Sequence, residues 1–443
     1  MQENTINIQP ILENLKIKQL NEMQETVIQA AQVQDELIVL ANTGSGKTLG
    51  FLIPILQLLQ PDNNTTQALI MLPSRELALQ IDEVFRKMGT SYKVTCCYGG
   101  HKREIEENNL VQSPAVIIGT AGRLADHIRR NNIDTSGITT LVLDEFDKSL
   151  ELGFLEEMSF IISSLKNINK KILTSATNAA VIPDFLQLKN PHIVNFLTPD
   201  AEPTENSLVV KKVLSDDKDK VNTLFKLLCQ INNKRTIVFC NHRDAVERTS
   251  NLIQEKGITN VFYHGGMEQQ ERESALCKFR NGTSSVLVTT DLASRGLDIP
   301  GIRYIIHYHL PPSEDVFTHR NGRTARMDEF GTAIIILSDD EKLPPFVNKN
   351  IEEIELTETG TLPEKPKWAT LFIAAGKKDK VNKIDIVGFL SNKGQLKKED
   401  IGLIEVKDFF AFAAIRKNKA STTLQLIKNE KIKNKKVKMD IAK

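Results

Sequence analysis

The chain has 443 residues, 40% of them hydrophobic and 26% charged, with a formal net charge of +1. That length is too great for one ordinary core and suits two or three domains, and the composition is that of a soluble globular protein. No run approaches the ~20 apolar residues of a membrane span, and no basic segment followed by an apolar one opens the chain, so neither a membrane-spanning helix nor a signal peptide is expected. Five cysteines, at 96, 97, 229, 240 and 277, show no C-x-x-C spacing and read as inert buried thiols of a reducing compartment. A cytoplasmic monomer is the expectation, since no coiled-coil pattern or apolar interface segment stands out.

From about residue 20 to 200, short β-branched runs alternate with amphipathic helical stretches. The runs are residues 37–40, 67–72, 115–118, 140–143 and 171–174. Such alternation predicts an α/β fold with a parallel sheet covered by helices on both faces. Between the first run and a helical stretch at 49–56 lies Ala41-Asn42-Thr43-Gly44-Ser45-Gly46-Lys47-Thr48. A strand, a Gly-rich turn and a helix N-terminus place backbone N–H groups around phosphate oxygens. Thr43, Gly44, Ser45 and Gly46 would form that cradle, with Lys47 reaching the β- and γ-phosphates and Thr48 available to Mg²⁺. Further on, Asp144-Glu145 closes the apolar strand at 140–143, at the edge where such sheets bind ligands. Asp144 is placed to organise Mg²⁺, and Glu145 to orient and deprotonate an attacking water.

Residues 200–206 read as a polar linker, and a second α/β unit follows, with strand runs at 235–239, 285–288, 304–307 and 332–336. Within it His319-Arg320-Asn321-Gly322-Arg323-Thr324-Ala325-Arg326 sets two arginines three apart, which on a helix keeps them on one side. They are the cations such a phosphate site needs. Residues 339–367 are acidic and Pro-bearing, suggesting a short helix and a linker. The last segment, 366–443, holds 19 Lys or Arg against 8 Asp or Glu, a balance of +11, which leaves −10 for the rest. A small basic module on an acidic body points to a polyanion partner. Its runs predict the order β-α-β-β-α-β, a ferredoxin-like layout. Phe372, Phe410 and Phe412 are candidate base-stacking platforms, with core packing the equal alternative for each.

Taken together and in order, these elements resemble DEAD-box ATP-dependent RNA helicases over about residues 16–340. Gln24 matches the family glutamine that reads the adenine edge. Lys47 and Thr48 match motif I, Pro73 to Leu77 motif Ia, Gly99-Gly100 the GG element, and Thr120-Ala121-Gly122-Arg123 motif Ib. Asp144-Glu145-Phe146-Asp147 stands for the name-giving tetrad and Ser175-Ala176-Thr177 for motif III. Residues 237–239 begin motif IV, residues 290–298 form motif V, and His319 to Arg326 form motif VI. The resemblance implies two tandem RecA-like parallel-sheet domains, with ATP and Mg²⁺ as cofactors and RNA as partner. It also implies that Ser175 and Thr177 couple hydrolysis to RNA by bridging Asp144, Asp147 and His319. Asp298 would touch the ribose, and Arg323 and Arg326 the γ-phosphate. Arg75, Gly100, Thr120, Arg123 and Thr289 would line the RNA path, contacting phosphates and 2′-hydroxyls with little sequence choice.

Some positions depart from the family pattern. Phe146 replaces the tetrad's Ala, Ala121 the Pro of motif Ib, Ser74 the Thr of motif Ia, and Ala325 the second Gly of motif VI. The aromatic expected upstream of Gln24 falls near Asn7, which implies weaker adenine stacking and looser nucleotide choice.

The tail resembles the RNA-recognition-type (RRM-like) domain of the DbpA-type subfamily, most closely from Thr370 to Ile386. By that resemblance it grips a 23S rRNA hairpin, acts on pre-50S particles, and offers Lys377, Lys378, Lys380 and Lys383 as RNA contacts. The expected domains are 1–200, 207–345, a linker at 346–367, and 368–443. The expected function is ATP-dependent unwinding of short RNA duplexes during large-subunit assembly. A general mRNA or cold-stress helicase and a non-catalytic ATP-dependent RNA clamp remain open alternatives.

Overall fold

Runs of Val, Ile and Leu become parallel strands here, and the central ones are buried on both faces, with helices packed above and below. The computed structural model describes residues 7–42, 44–177, 182–197, 208–294, 299, 301–324, 330–357 and 361–442. It divides into two units, residues 1–202 and 203–443.

The first unit contains β1 (Glu36–Ala41), β2 (Ala68–Leu72), β3 (Val94–Cys97), β4 (Val116–Thr120), β5 (Thr140–Leu143), β6 (Lys170–Ser175) and β7 (His192–Phe196). They form one sheet in the order β3-β4-β2-β5-β6-β1-β7, with every pairing parallel. Successive residues of β1 alternate between two cores: Leu37, Val39 and Ala41 join one, Ile38 and Leu40 the other. Two-sided burial is what the α/β reading expected.

The second unit opens with β8 (Leu208–Ser215), β9 (Thr236–Phe239), β10 (Asn260–Tyr263), β11 (Val286–Thr289), β12 (Tyr304–His307) and β13 (Gly331–Ser338). A short β14 (Glu352–Glu353) completes a second parallel sheet, ordered β10-β11-β9-β12-β13-β8-β14. Part of the expected linker at 346–367, residues 352–356, belongs to this domain instead. Glu352 and Glu353 pair with Lys211 and Lys212 of β8, their carboxylates 2.8 and 3.3 Å from those ammonium groups. Ile354 and Leu356 pack on the same core. An acidic, Pro-flanked stretch reads as linker until a basic edge strand supplies its partner.

The rest of this unit is a smaller antiparallel domain. It comprises β15 (Trp368–Ile373), a helix at Lys383–Asn392, β16 (Ile401–Val406), β17 (Ala411–Arg416), a helix at Ala420–Ile427, a hairpin of β18 (Lys431–Ile432) and β19 (Lys435–Lys436), and β20 (Met439–Ile441). Its sheet runs β16-β17-β15-β20, the expected β-α-β-β-α-β layout with one extra hairpin. Ala369, Leu371, Ile373, Ala411, Ala413 and Ile415 face the core. Phe372, Phe410 and Phe412 cluster on the opposite face, ring centroids 5.4 to 5.8 Å apart.

That outer face meets the preceding α/β domain at the end of its helix Gln269–Arg280. Arg280 grips Glu405 through Nε and Nη2, at 2.8 and 2.7 Å. Asn281 Nδ2 donates to Thr370 Oγ1 at 2.8 Å, and the Thr283 and Thr370 hydroxyls lie 2.8 Å apart. Thr370 and Phe412 are buried, so Phe412 is withdrawn as a stacking platform; Phe372 and Phe410 keep part of their surface. None of the five cysteines is in a disulfide, and burial pushes the Cys240 thiol up to about 12, as inert thiols require.

Candidate functional site

Parallel strands all point the same way, so the loops at their C-terminal ends gather on one edge of the sheet. In the first unit that edge carries two groups of residues, sorted by strand order. Loops after β1, β5 and β6 bring together the phosphate-type loop, Asp144-Glu145 and Ser175-Ala176-Thr177. Loops after β2, β3 and β4, the other half of the sheet, bring together Arg75, Gly99-Gly100 and Thr120 to Arg123.

In the phosphate-type loop Gly44 and Gly46 both have φ of +87°, a conformation that glycine adopts without a steric cost. Gly46 caps the helix Lys47–Leu58. A Cβ on Gly46 would lie 2.5 Å from Gln24 Nε2. The Gln24 amide ties the loop to the preceding helix: Nε2 donates to Gly46 O at 3.0 Å and Oε1 accepts from Asn21 N at 3.0 Å. Asn21 Nδ2 in turn donates to Ser45 O at 2.9 Å. Gln24 is therefore a brace of this loop, through a capping box with Asn21 that the sequence reading missed. Lys47 is buried and donates to Ala41 O and, at 3.1 Å, to Asn42 O. The Ser45 hydroxyl is buried without a hydrogen-bond partner among the described residues. Thr43 lies outside the described residues.

Across the sheet edge Asp144 and Glu145 are buried. Glu145 adopts a left-handed conformation, φ 49° and ψ 50°, at the start of the helix Phe146–Glu151. Its N–H donates to Thr174 Oγ1 at 3.1 Å, and that hydroxyl donates to Asp144 Oδ1 at 2.5 Å. Burial raises the Asp144 carboxyl above its ordinary range, opposed by the Thr174 hydrogen bond and the Lys47 charge. Burial likewise raises Asp147, opposed by Lys148. Thr177 Oγ1 donates to Asp147 Oδ2 at 3.3 Å, and Thr177 N donates to Ser175 Oγ at 3.0 Å. The expected bridge from motif III to Asp147 is present; the hydroxyl on Asp144 comes instead from Thr174. Phe146 is buried in the core beneath the sheet, so its ring is part of the packing and not of the polar surface. The buried Asp144 carboxylate feels the Lys47 charge, and Thr48 stands in the first turn of the helix that follows the loop; carboxylate and hydroxyl oxygens are the hard donors that Mg²⁺ with a polyphosphate takes.

On the other half, Arg75 begins the helix Arg75–Lys87, whose cap Ser74 accepts from Leu77 N at 3.2 Å. A Cβ on Gly99 would sit 3.5 Å from Arg75 Nη2, so the arginine lies along the Gly99-Gly100 turn. Arg123 Nη2 donates to His101 O at 3.2 Å. Its Nη1 pairs with the buried Glu106 carboxylate at 3.1 Å. Glu106 also holds Tyr98 N at 2.8 Å, His101 Nε2 at 3.0 Å and His127 Nε2 at 2.7 Å. Burial alone would raise this carboxyl, but His101, His127, the Tyr98 N–H and the Arg123 charge overcome it and hold it at about 2. Cys97, Glu106 and His127 lie close enough to share a cation. Four donors already occupy the carboxylate, so the cluster is a brace for Arg123 and the GG turn.

In the second unit the loops after β9, β11 and β12 are tied by Arg320. Its guanidinium reaches Asp291 at 2.5 and 3.1 Å, Asn241 Oδ1 at 2.8 Å and His309 O at 2.9 Å, and is fully buried. His307 Nε2 meets Asn321 Oδ1 at 3.0 Å. The helix ends at Asn321, and Arg323 lies on the turn after it, where Arg323 N bonds Arg320 O in a tighter i−3 pattern. Arg326, the second arginine of the expected pair, lies outside the described residues, as do Asp298 and Ala325. Thr289, expected on an RNA path, is fully buried and donates to Tyr263 O at 2.7 Å. His319 and Arg323 are buried. In the tail Lys377, Lys378, Lys380 and Lys383 are exposed, as expected. Lys433 and Lys435 of the unforeseen hairpin reach Asp385 and Asp379 beside them.

Residues 21–185 match the DEAD/DEAH box helicase family, residues 219–328 the helicase conserved C-terminal domain, and residues 370–441 the DbpA RNA binding domain. Among curated proteins the chain is similar to the ATP-dependent RNA helicase DbpA of Bacillus subtilis, 30% identical over 97% of this chain and 96% of that one. It is also similar to DbpA of Escherichia coli, at 29% identity and 99% of both chains. Among solved structures, Mss116p bound to ssRNA and AMP-PNP covers 79% of this chain and 77% of its own, with TM-score 0.67 and 26% identity. S. cerevisiae Dbp5 bound to RNA and ADP BeF3 covers 75% and 88%, with TM-score 0.66 and 25% identity.

Proposed function

This chain belongs to the DEAD-box ATP-dependent RNA helicases, and from that premise we propose that it remodels short RNA duplexes of 23S rRNA within pre-50S particles. The observation that carries the ribosomal part is the tail. It matches the DbpA RNA binding domain along its length, holds the chain's basic excess, and presents four exposed lysines around one short segment. Phosphate contacts by the motor position RNA without reading it; a tethered hairpin-binding domain raises the local concentration of one target.

In this reading Gly44, Ser45, Gly46 and Lys47 hold the triphosphate, with Gln24 bracing the loop against the nucleotide. Thr48 and Asp144 hold Mg²⁺, which when bound neutralises phosphate charge. Glu145 orients the attacking water and takes its proton. Ser175 and Thr177, through Asp147, relay the state of that pocket, and His319, Arg323, Arg326 and Asp298 are the second unit's contribution to turnover. Arg75, Gly100, Thr120 and Arg123 take RNA phosphates.

The test is steady-state ATPase of the full chain with no RNA, an arbitrary structured RNA, and a 23S rRNA hairpin, at two salt concentrations. The reading expects strong preferential activation by the ribosomal hairpin, and loss of RNA-stimulated turnover with nucleotide binding retained in Glu145→Gln. Equal activation by both RNAs would favour a general helicase. No activation by either would favour the clamp.

A further inference from the structure

The acid pair is held by a residue that no motif includes. β6 runs beside β5 with Leu173 opposite Leu143, so Thr174 stands one step on, level with Asp144. Thr174 is 1% exposed, and water cannot substitute for its partners. A backbone N–H only donates, so the Thr174 oxygen must accept from Glu145 N, and its own proton must go to Asp144 Oδ1. One hydroxyl thus ties two consecutive residues whose functions differ. It also spans a strained link: Glu145 is a non-glycine residue at φ 49°, a conformation that persists only where the surroundings over-determine it.

We propose that Thr174 is the positioning residue of the acid pair: its hydroxyl fixes the rotation of the Asp144 carboxylate and the left-handed backbone of Glu145. The proposal rests on the reading of Asp144 and Glu145 as the hydrolytic acids. Its β-branch supports the role, because a Thr χ1 is restricted on a strand and the hydroxyl has one direction. Without it, two buried polar groups lose their shared partner and the turn loses a hydrogen bond it cannot replace from solvent. Nucleotide held by the loop after β1 would bind as before, while metal capture and water orientation would suffer.

Thr174→Val, Thr174→Ala and Thr174→Ser are compared with wild type and Glu145→Gln in the full chain. Two readouts are used: kcat and KM for RNA-stimulated ATP turnover, and affinity for a fluorescent ADP with and without Mg²⁺. The Val and Ala variants should lose about tenfold or more in kcat with KM for ATP little changed. Their ADP affinity without Mg²⁺ should match wild type, and the Mg²⁺ concentration needed for half-maximal enhancement should rise. Serine should restore most of both. Turnover and Mg²⁺ response like wild type in a folded Val or Ala variant would overturn the proposal, as would a serine variant no better than valine. If melting shows that serine folds and neither hydroxyl-free variant does, the hydroxyl is a folding determinant and the positioning role falls. Undiminished turnover in Glu145→Gln would instead remove the reading of the acid pair itself.

Discussion

Single residues in this protein are constrained by backbone geometry and buried charge more than by contact number. Gly46 shows the first constraint: at φ +87°, with Gln24 Nε2 2.5 Å from any added Cβ, an alanine there is both strained and obstructed. Gly46→Ala should therefore weaken nucleotide binding by about tenfold or more, the equivalent of roughly 1–2 kcal/mol of strain, read by titration with a fluorescent nucleotide. Glu106 shows the second. Its folded-state carboxyl is held at about 2, below the ordinary 4.5. A depressed carboxyl contributes stability that is present above the unfolded value and lost as pH falls through the folded one. Thermal stability should drop between pH ~4.5 and ~2, and Glu106→Gln should flatten that drop while lowering the melting point near neutrality. A melt series across pH would check both. Neither constraint could be read beforehand in full: Gly46 belongs to a recognisable loop, but Glu106 is one acid in a polar helix until the fold brings His101, Arg123 and His127 around it.

At the scale of elements, strand order does the sorting. In each parallel sheet the loops of interest sit at neighbouring C-terminal strand ends, which is why residues far apart along the chain meet. The alternation of β-branched runs and helices made the α/β class and most strands legible, because two-sided burial imposes an unbroken apolar run. Short pieces were not legible: β14 is two residues of an acidic stretch, defined only by Lys211 and Lys212 across the sheet. The helix carrying His319 also ends sooner than arginine spacing suggested, because its last turn tightens. Arg320 is the element-level fastener, joining three loops by side-chain hydrogen bonds from within the core. Arg320→Lys keeps the charge but cannot form the fork that meets Asp291 and Asn241 together. The expected cost is about 3 kcal/mol or more for leaving those groups partly unpaired in the interior, read as a fall in the full chain's melting temperature. An unchanged melt would show that lysine and water can replace the fork.

At the scale of the whole molecule, the tail is joined to the preceding α/β domain by Arg280–Glu405 and by the Asn281–Thr370–Thr283 hydrogen bonds, and not by its linker alone. Part of the sheet face on which such domains can stack bases is covered by this junction, and the exposed lysines are the proposed RNA contacts that it leaves open. Replacing Lys377, Lys378, Lys380 and Lys383 together by Gln should reduce the salt dependence of hairpin binding by up to about three units of slope and lower affinity accordingly. Binding measured over a salt series checks this; an unchanged slope would place the contact elsewhere on the tail. Because all four lysines are exposed and none joins the junction, the variant should melt like wild type.

Sequence alone determined the family, the two parallel sheets, the phosphate loop, the acid pair and the basic tail. Each of these depends on local pattern: residue type, spacing along one strand or turn, or a count of charge. Tertiary structure decided what depends on several segments at once. It set Gln24 as a brace for Gly46, made Thr174 the partner of Asp144 and Glu145, buried Thr289 and Phe412, and turned two residues of an expected linker into an edge strand. A hydrogen bond between residues thirty positions apart, or a face covered by a neighbouring domain, leaves no period in the sequence, because its partners are chosen by packing and not by proximity along the chain.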